Sequence, residues 1–155
     1  YGLVGSEMCI RDSMAEAQYI AGMGFSNVGL GIVHSMAHPL GAFYDTPHGV
    51  ANATLLPYVM EYNAESPSRA KYLDIARAMG VKTDGMSVDE GVRAAIDAVK
   101  ALSLSIRIPQ RLHELGVREE DIPALAVAAF NDVCTGGNPR PTSVEEIERL
   151  YHIAY

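Results

Sequence analysis

The stretch HSMAHPLGAFYDTPHG, residues 34–49, places three histidines in an otherwise apolar segment. His34 and His38 are four positions apart, so in a helix both side chains lie on one face. Pro39 and the glycine two residues later predict that this helix kinks or ends there, and His48 then begins the next helix. Two consecutive antiparallel helices would bring His48 back toward His34, an arrangement suited to a divalent metal.

The histidines also allow two other interpretations. A histidine on an apolar helix is often a core residue whose ring is hydrogen-bonded to the backbone, which would make this a helical interaction or structural domain without catalysis. Alternatively, the chain is a complete small metalloprotein in which His38 and Asp45 complete the ligand set. Asp45 in YDTPH is, however, typical of a turn or cap residue. Spacing alone leaves metal binding and structural histidines equally open.

The composition narrows the class of protein. The 155 residues suffice for one domain with a substantial core, and 48% of them are hydrophobic. The net charge of -7 and the lack of clustered Lys and Arg argue against a nucleic-acid partner. The two cysteines, Cys9 and Cys134, form no CxxC motif and suit a reducing compartment. With no apolar run of membrane-spanning length and no secretory signal, we expect a cytoplasmic protein that binds no membrane.

Helical patterns dominate the chain from Met14 onward, and no strand pattern or internal repeat is evident. Ser87 with Glu90, and Ser143 with Glu146, predict capping boxes. Apolar stripes are predicted at Tyr72, Ile75, Ala76 and Met79, and at Val92, Ile96, Val99, Leu102 and Leu104. The predicted helices cover 14–23, 27–44, 46–65, 66–80, 87–106, 119–134 and 143–155, with a short connector at 108–117. The expected fold class is all-α, with about seven helices in one bundle-like domain.

The first 13 residues, YGLVGSEMCIRDS, differ from the rest of the chain. They show no helical or strand period, and they resemble the conceptual translation of a sequencing adapter. We therefore treat 1–13 as a non-native leader and 14–155 as the helical domain. An ordinary flexible N-terminal arm is the alternative.

A resemblance to a known family adds to this interpretation. The segment GMGFSNVGLGIVHSMAHPLGAFYDTPHGVANATLLPYVMEYN, residues 22–63, closely resembles the signature region of the iron-containing (group III) alcohol dehydrogenases. Its His-x3-His-Pro-x-Gly element followed by Pro-His-Gly-x-Ala-Asn is long and specific. The likeness continues to the C-terminus through YLDIARAMGV (72–81), LGVREEDIPALA (115–126) and DVCTGGNPR (132–140). Within the family it is most similar to the members that reduce lactaldehyde.

The resemblance implies roles for five residues. His34 and His48 match metal ligands of the family, for Fe²⁺ or Zn²⁺. His38 matches a histidine beside the metal that helps with proton transfer or shapes the nicotinamide pocket. Phe25 and Cys134 match residues that line the alcohol pocket, with a core aromatic and a small buried hydrophobe as the plainer alternatives. No residue of the chain is implied as a contact of the cofactor.

The resemblance also implies that the chain is one part of a larger enzyme. The family's dehydroquinate-synthase-like fold pairs an N-terminal α/β domain, which binds NAD(P) through a glycine-rich loop, with a helical C-terminal domain that carries the metal. The glycines of residues 22–31 lie between helices and follow no strand, and nothing here matches the family's other two ligands, an Asp and a His. We expect an inactive C-terminal fragment of a homodimeric, NAD(P)-linked dehydrogenase for small primary alcohols and aldehydes.

Overall fold

The computed structural model describes residues 5–155, so residues 1–4 of the predicted leader lie outside the described part. Within that range the chain forms α-helices and short 3₁₀ turns and no strand, which confirms the all-α fold class. The α-helices are α1 (Gly5–Val28), α2 (Ile32–Tyr44), α3 (His48–Asn63), α4 (Tyr72–Ala78), α5 (Val88–Ser105), α6 (Ile122–Phe130) and α7 (Val144–Ala154).

Helix α1 belongs to a compact unit that extends to Leu30, and residues 31–155 form a second unit. Helix α1 runs without interruption through residues 5–13, where the sequence shows no helical period. It is terminated at Gly29, which has a φ of 84° and whose N–H donates to the Phe25 carbonyl. Phe25 is 44% exposed, so it is not a core aromatic in this structure. None of the described helices is both long enough and apolar enough to cross a bilayer. The adapter origin of 1–13 stays a prediction.

The larger core of the second unit lies between α2, α3, α6 and α7. Its completely buried large side chains are Ile32, Met36, Leu40, Leu55, Leu112, Ile122, Leu125, Ile147 and Tyr151. The Tyr151 hydroxyl donates to the Met36 carbonyl at 2.6 Å, so the one polar atom of this buried ring is satisfied. This bond joins the last helix to α2, which carries two of the three clustered histidines.

Of the kink or end that the sequence predicts at Pro39 and Gly41, the end does not occur, because helix α2 continues to Tyr44. Pro39 and Leu40 are both buried, and the packing of this face outweighs the backbone bond that the proline cannot make. The helix ends at Asp45, whose φ is 53° and whose N–H donates to the Gly41 carbonyl at 3.0 Å. Asp45 is therefore a cap residue.

A smaller core lies between α4, α5 and the end of α3. The predicted stripes are buried at Tyr72, Ala76, Val92 and Ile96 and partly buried at Val99. They are wrong at four exposed positions, Ile75, Met79, Leu102 and Leu104. Helix α5 has 18 residues and α4 only 7, so the last turns of α5 extend beyond the helix that covers its beginning.

The two predicted capping boxes have different outcomes. Ser87 accepts from the Glu90 N–H at 3.3 Å and the Glu90 carboxylate accepts from the Ser87 N–H at 2.8 Å, which confirms the first box. Ser143 accepts from the Glu146 N–H at 3.3 Å, but the reciprocal bond of the second box is missing. The Glu146 carboxylate accepts instead from the Tyr62 hydroxyl at 2.9 Å.

The helix predicted at 119–134 is shorter than expected, since α6 ends at Phe130. Residues 131–134 are bends and turns, and a 3₁₀ turn follows at Thr135–Gly137. The helix predicted from residue 66 is also shorter, because α4 begins at Tyr72. The early end of α6 places Asp132 and Cys134 in an irregular segment.

We expect Gly91→Ala to destabilise the fold by about 1–3 kcal/mol, the usual cost of overpacking. A Cβ at Gly91 would lie 2.5 Å from Leu73 Cδ2, 2.7 Å from its Cγ and 3.3 Å from its Cα, so α4 and α5 would have to separate. Urea unfolding measures the change. Gly49→Ala is the control, because a Cβ there meets no atom within 4 Å and alanine favours a helix. Equal unfolding midpoints for the two variants would contradict the prediction.

Candidate metal centre

The structure brings the three histidines of the 34–49 stretch together. The ring centres of His34 and His48 are 5.4 Å apart, those of His38 and His48 are 5.4 Å apart, and those of His34 and His38 are 6.2 Å apart. His34 and His38 are partly buried, and His48 is exposed. The three imidazoles therefore form an open triangle at the surface of the second unit.

Local sequence explains this convergence. His34 and His38 share one face of α2, and only Asp45, Thr46 and Pro47 separate α2 from α3. His48 is the first residue of α3, directly after Pro47 at the N-cap. Because α2 and α3 pack against each other, the short connection returns His48 to the histidine face of α2.

The spacing of the His34 and His48 rings is compatible with one divalent transition metal. Metal–nitrogen bonds to histidine are about 2.1 Å long, which places two imidazole rings on one ion with centres roughly 5 Å apart. Burial, and then the facing rings of His48 and His38, lower the pKa of His34. Neutral imidazole is the form that binds a metal, so this shift favours binding near neutral pH.

His48 is held by Asn52, which the sequence reasoning missed. The Asn52 amide nitrogen lies 3.1 Å from His48 Nε2 and 2.9 Å from the His48 carbonyl. An amide NH₂ only donates, so Nε2 of His48 accepts in this structure. A cation bound at Nε2 would replace the amide there. The four-residue spacing on α3 is the signal that points to Asn52.

His38 is held by Asp132, which the sequence reasoning also missed. The His38 Nδ1 lies 2.7 Å from Asp132 Oδ2, and the Cys134 N–H donates to Asp132 Oδ1 at 2.8 Å. His38, Asp132 and Cys134 present potential ligand atoms within 4.8 Å of one another. The residues are 94 positions apart, so no local pattern reveals the pair. Asp132 thus contacts both His38 and the backbone of the predicted site residue Cys134.

The pKa values of the two acidic groups in this cluster, Asp132 and Cys134, are shifted in opposite directions. Burial works against ionisation of Asp132, but the hydrogen bonds from His38 and Cys134 outweigh it and hold the pKa of the carboxyl below its usual value. Burial, and then the neighbouring Asp132 carboxylate, raise the pKa of the Cys134 thiol. Near neutral pH the cluster therefore contains a carboxylate and a protonated thiol.

Asp45 lies at the C-cap of α2 and outside the ligand-capable cluster of the described residues. Among residues 5–155, the ligand-capable cluster contains His38, Asp132 and Cys134 but not Asp45. The C-cap position explains this, because its left-handed backbone makes Asp45 part of the turn out of α2. The interpretation of the chain as a complete small metalloprotein built on His38 and Asp45 stays a prediction, and the turn position of Asp45 argues against it. The predicted role of Phe25, on α1, stays a prediction.

Known proteins resemble the chain along nearly its whole length. The sequence model of the Fe-containing alcohol dehydrogenase family, C-terminal, matches residues 4–155. Lactaldehyde reductase of Escherichia coli (strain K12) is 61% identical over 154 residues, which are 99% of this chain and 40% of that protein. The 1,3-propanediol dehydrogenase of Citrobacter freundii is 46% identical over 152 residues, 98% of this chain and 39% of that protein.

A solved structure shows the same fold. The crystal structure of a 1,3-propanediol oxidoreductase superposes with a TM-score of 0.93 and 45% identity, covering 98% of this chain and 40% of that one. The chain thus spans about 40% of the length of the relatives it matches. With its clustered histidines, its helical fold and a family match over residues 4–155, the chain belongs to the iron-containing alcohol dehydrogenase family, in the region of its C-terminal domain.

Proposed function

We propose that this chain is the metal-binding helical part of an NAD(P)-linked dehydrogenase that interconverts small primary alcohols and aldehydes, with lactaldehyde and propanediol as the substrate class. The convergence of His34 and His48 at 5.4 Å between ring centres is the observation that carries the proposal. The names of relatives that are 61% and 46% identical support the substrate class.

His34 and His48 are the residues that would hold the metal, Fe²⁺ or Zn²⁺. Two imidazoles make a partial ligand set, so we expect the chain to bind metal weakly on its own. When bound, the metal supplies Lewis acidity to the oxygen of the alcohol or aldehyde. The lowered pKa of His34, caused first by burial, keeps this ring neutral and ready to bind.

His38 is the residue we assign to proton transfer. Its ring lies 5.4 Å from that of His48, close enough to reach an oxygen held beside the histidine cluster. Cys134, held protonated beside Asp132, is assigned to the wall of the alcohol pocket, and the role of Phe25 on α1 stays a prediction. The hydride exchange itself is the chemistry of the nicotinamide cofactor.

The cellular setting is part of the proposal. Both cysteines are free thiols, as expected for a protein of the reducing cytoplasm. The homodimer expected of the intact enzyme stays a prediction.

A chimera tests the activity. This chain replaces the matching C-terminal 40% of E. coli lactaldehyde reductase, which supplies the remaining length. We expect the chimera, loaded with Fe²⁺, to oxidise NADH in the presence of lactaldehyde. We expect the 155-residue chain alone to show no turnover under the same conditions.

Two controls make the result decisive. The truncated host without a C-terminal part measures background turnover, and cooperative thermal unfolding shows that the chimera is folded. A folded, metal-loaded chimera without turnover on lactaldehyde or propanediol would contradict the proposed activity. Sustained turnover by the 155-residue chain alone would contradict its assignment as one part of the catalytic unit.

A further inference from the structure

We propose that Asp132 is a positioning residue that fixes the tautomer of His38, so that Nδ1 carries the ring proton and Nε2 stays free to exchange a proton with the substrate. Nothing in the sequence pattern points to Asp132. The inference rests on the proposed function for the role of Nε2, but the tautomer itself follows from contacts of this chain alone.

The 2.7 Å contact between His38 Nδ1 and Asp132 Oδ2 fixes which ring nitrogen carries the proton. The hydrogen bonds to Asp132 hold its pKa below the usual value against the effect of burial, so the group is a carboxylate near neutral pH. A carboxylate only accepts hydrogen bonds. The proton in this contact therefore lies on Nδ1, and in a neutral ring Nε2 has the free lone pair.

Both carboxylate oxygens of Asp132 have fixed partners. Oδ2 faces His38, and Oδ1 accepts the Cys134 N–H at 2.8 Å. The side chain is only 19% exposed, so water competes weakly for either oxygen. The hydrogen bond from the Cys134 N–H thus fixes the orientation of the Asp132 carboxylate. That orientation directs Oδ2 toward His38, so the Nδ1–H of the ring must point at Oδ2.

The segment that contains Asp132 is anchored to α2, the helix that carries His38. The Thr135 hydroxyl lies 2.8 Å from Ser35 Oγ on α2 and 2.7 Å from the Ala129 carbonyl at the end of α6. Ser35 is completely buried. The distance between Asp132 and His38 is therefore held by partly buried hydrogen bonds of Thr135 to both α2 and α6, as expected of a group that positions another.

The same three residues present ligand-capable atoms and thus resemble a cation site. Two observations favour positioning instead. Both oxygens of Asp132 already accept hydrogen bonds, and burial followed by the carboxylate raises the pKa of the Cys134 thiol, which keeps a proton on the sulfur. A cation would have to displace all of these interactions.

The variant that tests the inference is Asp132→Asn. It keeps the size of the side chain but offers one acceptor oxygen where the carboxylate offers two. With its oxygen on the Cys134 N–H, the amide turns its NH₂ toward His38, which forces Nδ1 to accept and moves the ring proton to Nε2. A wrong tautomer of this kind disables histidines that act as acid or base.

Nitrogen-15 NMR of the imidazoles in the 155-residue chain at about pH 8 reads the tautomer directly, with His38→Gln used to assign the signals. We expect Nδ1–H at His38 in the unaltered chain and Nε2–H in Asp132→Asn, with His113 unchanged in both. Nε2–H in the unaltered chain, which requires no substitution, or retained Nδ1–H in Asp132→Asn, overturns the inference.

Kinetics of the lactaldehyde reductase chimera give the functional counterpart. We expect Asp132→Asn to lower kcat by about 100-fold or more, the usual contribution of a positioned acid or base, with little change in KM. An unchanged kcat in the variant would overturn the role of the pair in proton transfer. Because the tautomer is measured without turnover, a failure of the proposed activity and a failure of this inference are distinguishable.

Discussion

Replacement of either His34 or His48 with alanine is expected to reduce turnover of the lactaldehyde reductase chimera by more than about 100-fold. Loss of a hydrogen-bonding partner behind a metal ligand already costs about 10- to 100-fold in metal affinity or activity, and loss of the ligand itself costs more. The ring centres of His34 and His48 are 5.4 Å apart, so neither imidazole can take the ligand position of the other without leaving its place in the cluster. Turnover with lactaldehyde and the iron content of the purified chimera measure the effect.

A substitution at Asn52 separates the loss of a metal ligand from the loss of a neighbouring hydrogen bond. We expect Asn52→Ala to leave metal affinity unchanged or to raise it by no more than about 10-fold, because the amide lies 3.1 Å from the same Nε2 that a cation would bind and has to be displaced. His152→Ala is the matched control, since His152 is 43% exposed and lies on α7.

Full activity in both His34→Ala and His48→Ala would mean that the histidines are structural and that the non-catalytic interpretation is correct.

The convergence of the histidines is predictable from sequence because its causes are local. A four-residue spacing fixes two rings on one face of α2, and a short connection containing Pro47 forces the next helix to begin at His48. The cap at Ser87 is predictable for the same reason, since both partners lie within one turn. Local geometry determines each of these features.

The features that sequence reasoning missed depend on packing between distant segments. Asp132 meets His38 across 94 positions, only because α6 ends early and its last turn lies against α2. The local chemistry of Pro39 predicts a kink or an end of the helix, but α2 continues past it because the same helical face is buried. Glu146 leaves its predicted box for Tyr62, 84 positions away. In each case a tertiary contact overrides a local preference.

Asn138→Ala is expected to destabilise the fold by about 2–4 kcal/mol, because it leaves several partly buried groups without partners. The Asn138 amide oxygen accepts from Asn63 at 3.0 Å and from the Ile32 N–H at 3.4 Å. Its nitrogen donates to Asn63 Oδ1 at 2.8 Å and to the Arg140 carbonyl at 2.7 Å. One side chain thus joins the start of α2, the end of α3 and the segment that follows Cys134.

Urea unfolding of the 155-residue chain measures this loss, and Asn131→Ala is the matched control. The Asn131 side chain is exposed and bonds only to the Val127 carbonyl of its own helix, so we expect a change within about 0.5 kcal/mol. Because Asn63 and Asn138 are each other's partners, Asn63→Ala combined with Asn138→Ala should cost less than the sum of the two single substitutions. Strict additivity, or an Asn138→Ala variant as stable as Asn131→Ala, would show that this reciprocal amide pair does not hold the Cys134 segment against α2 and α3.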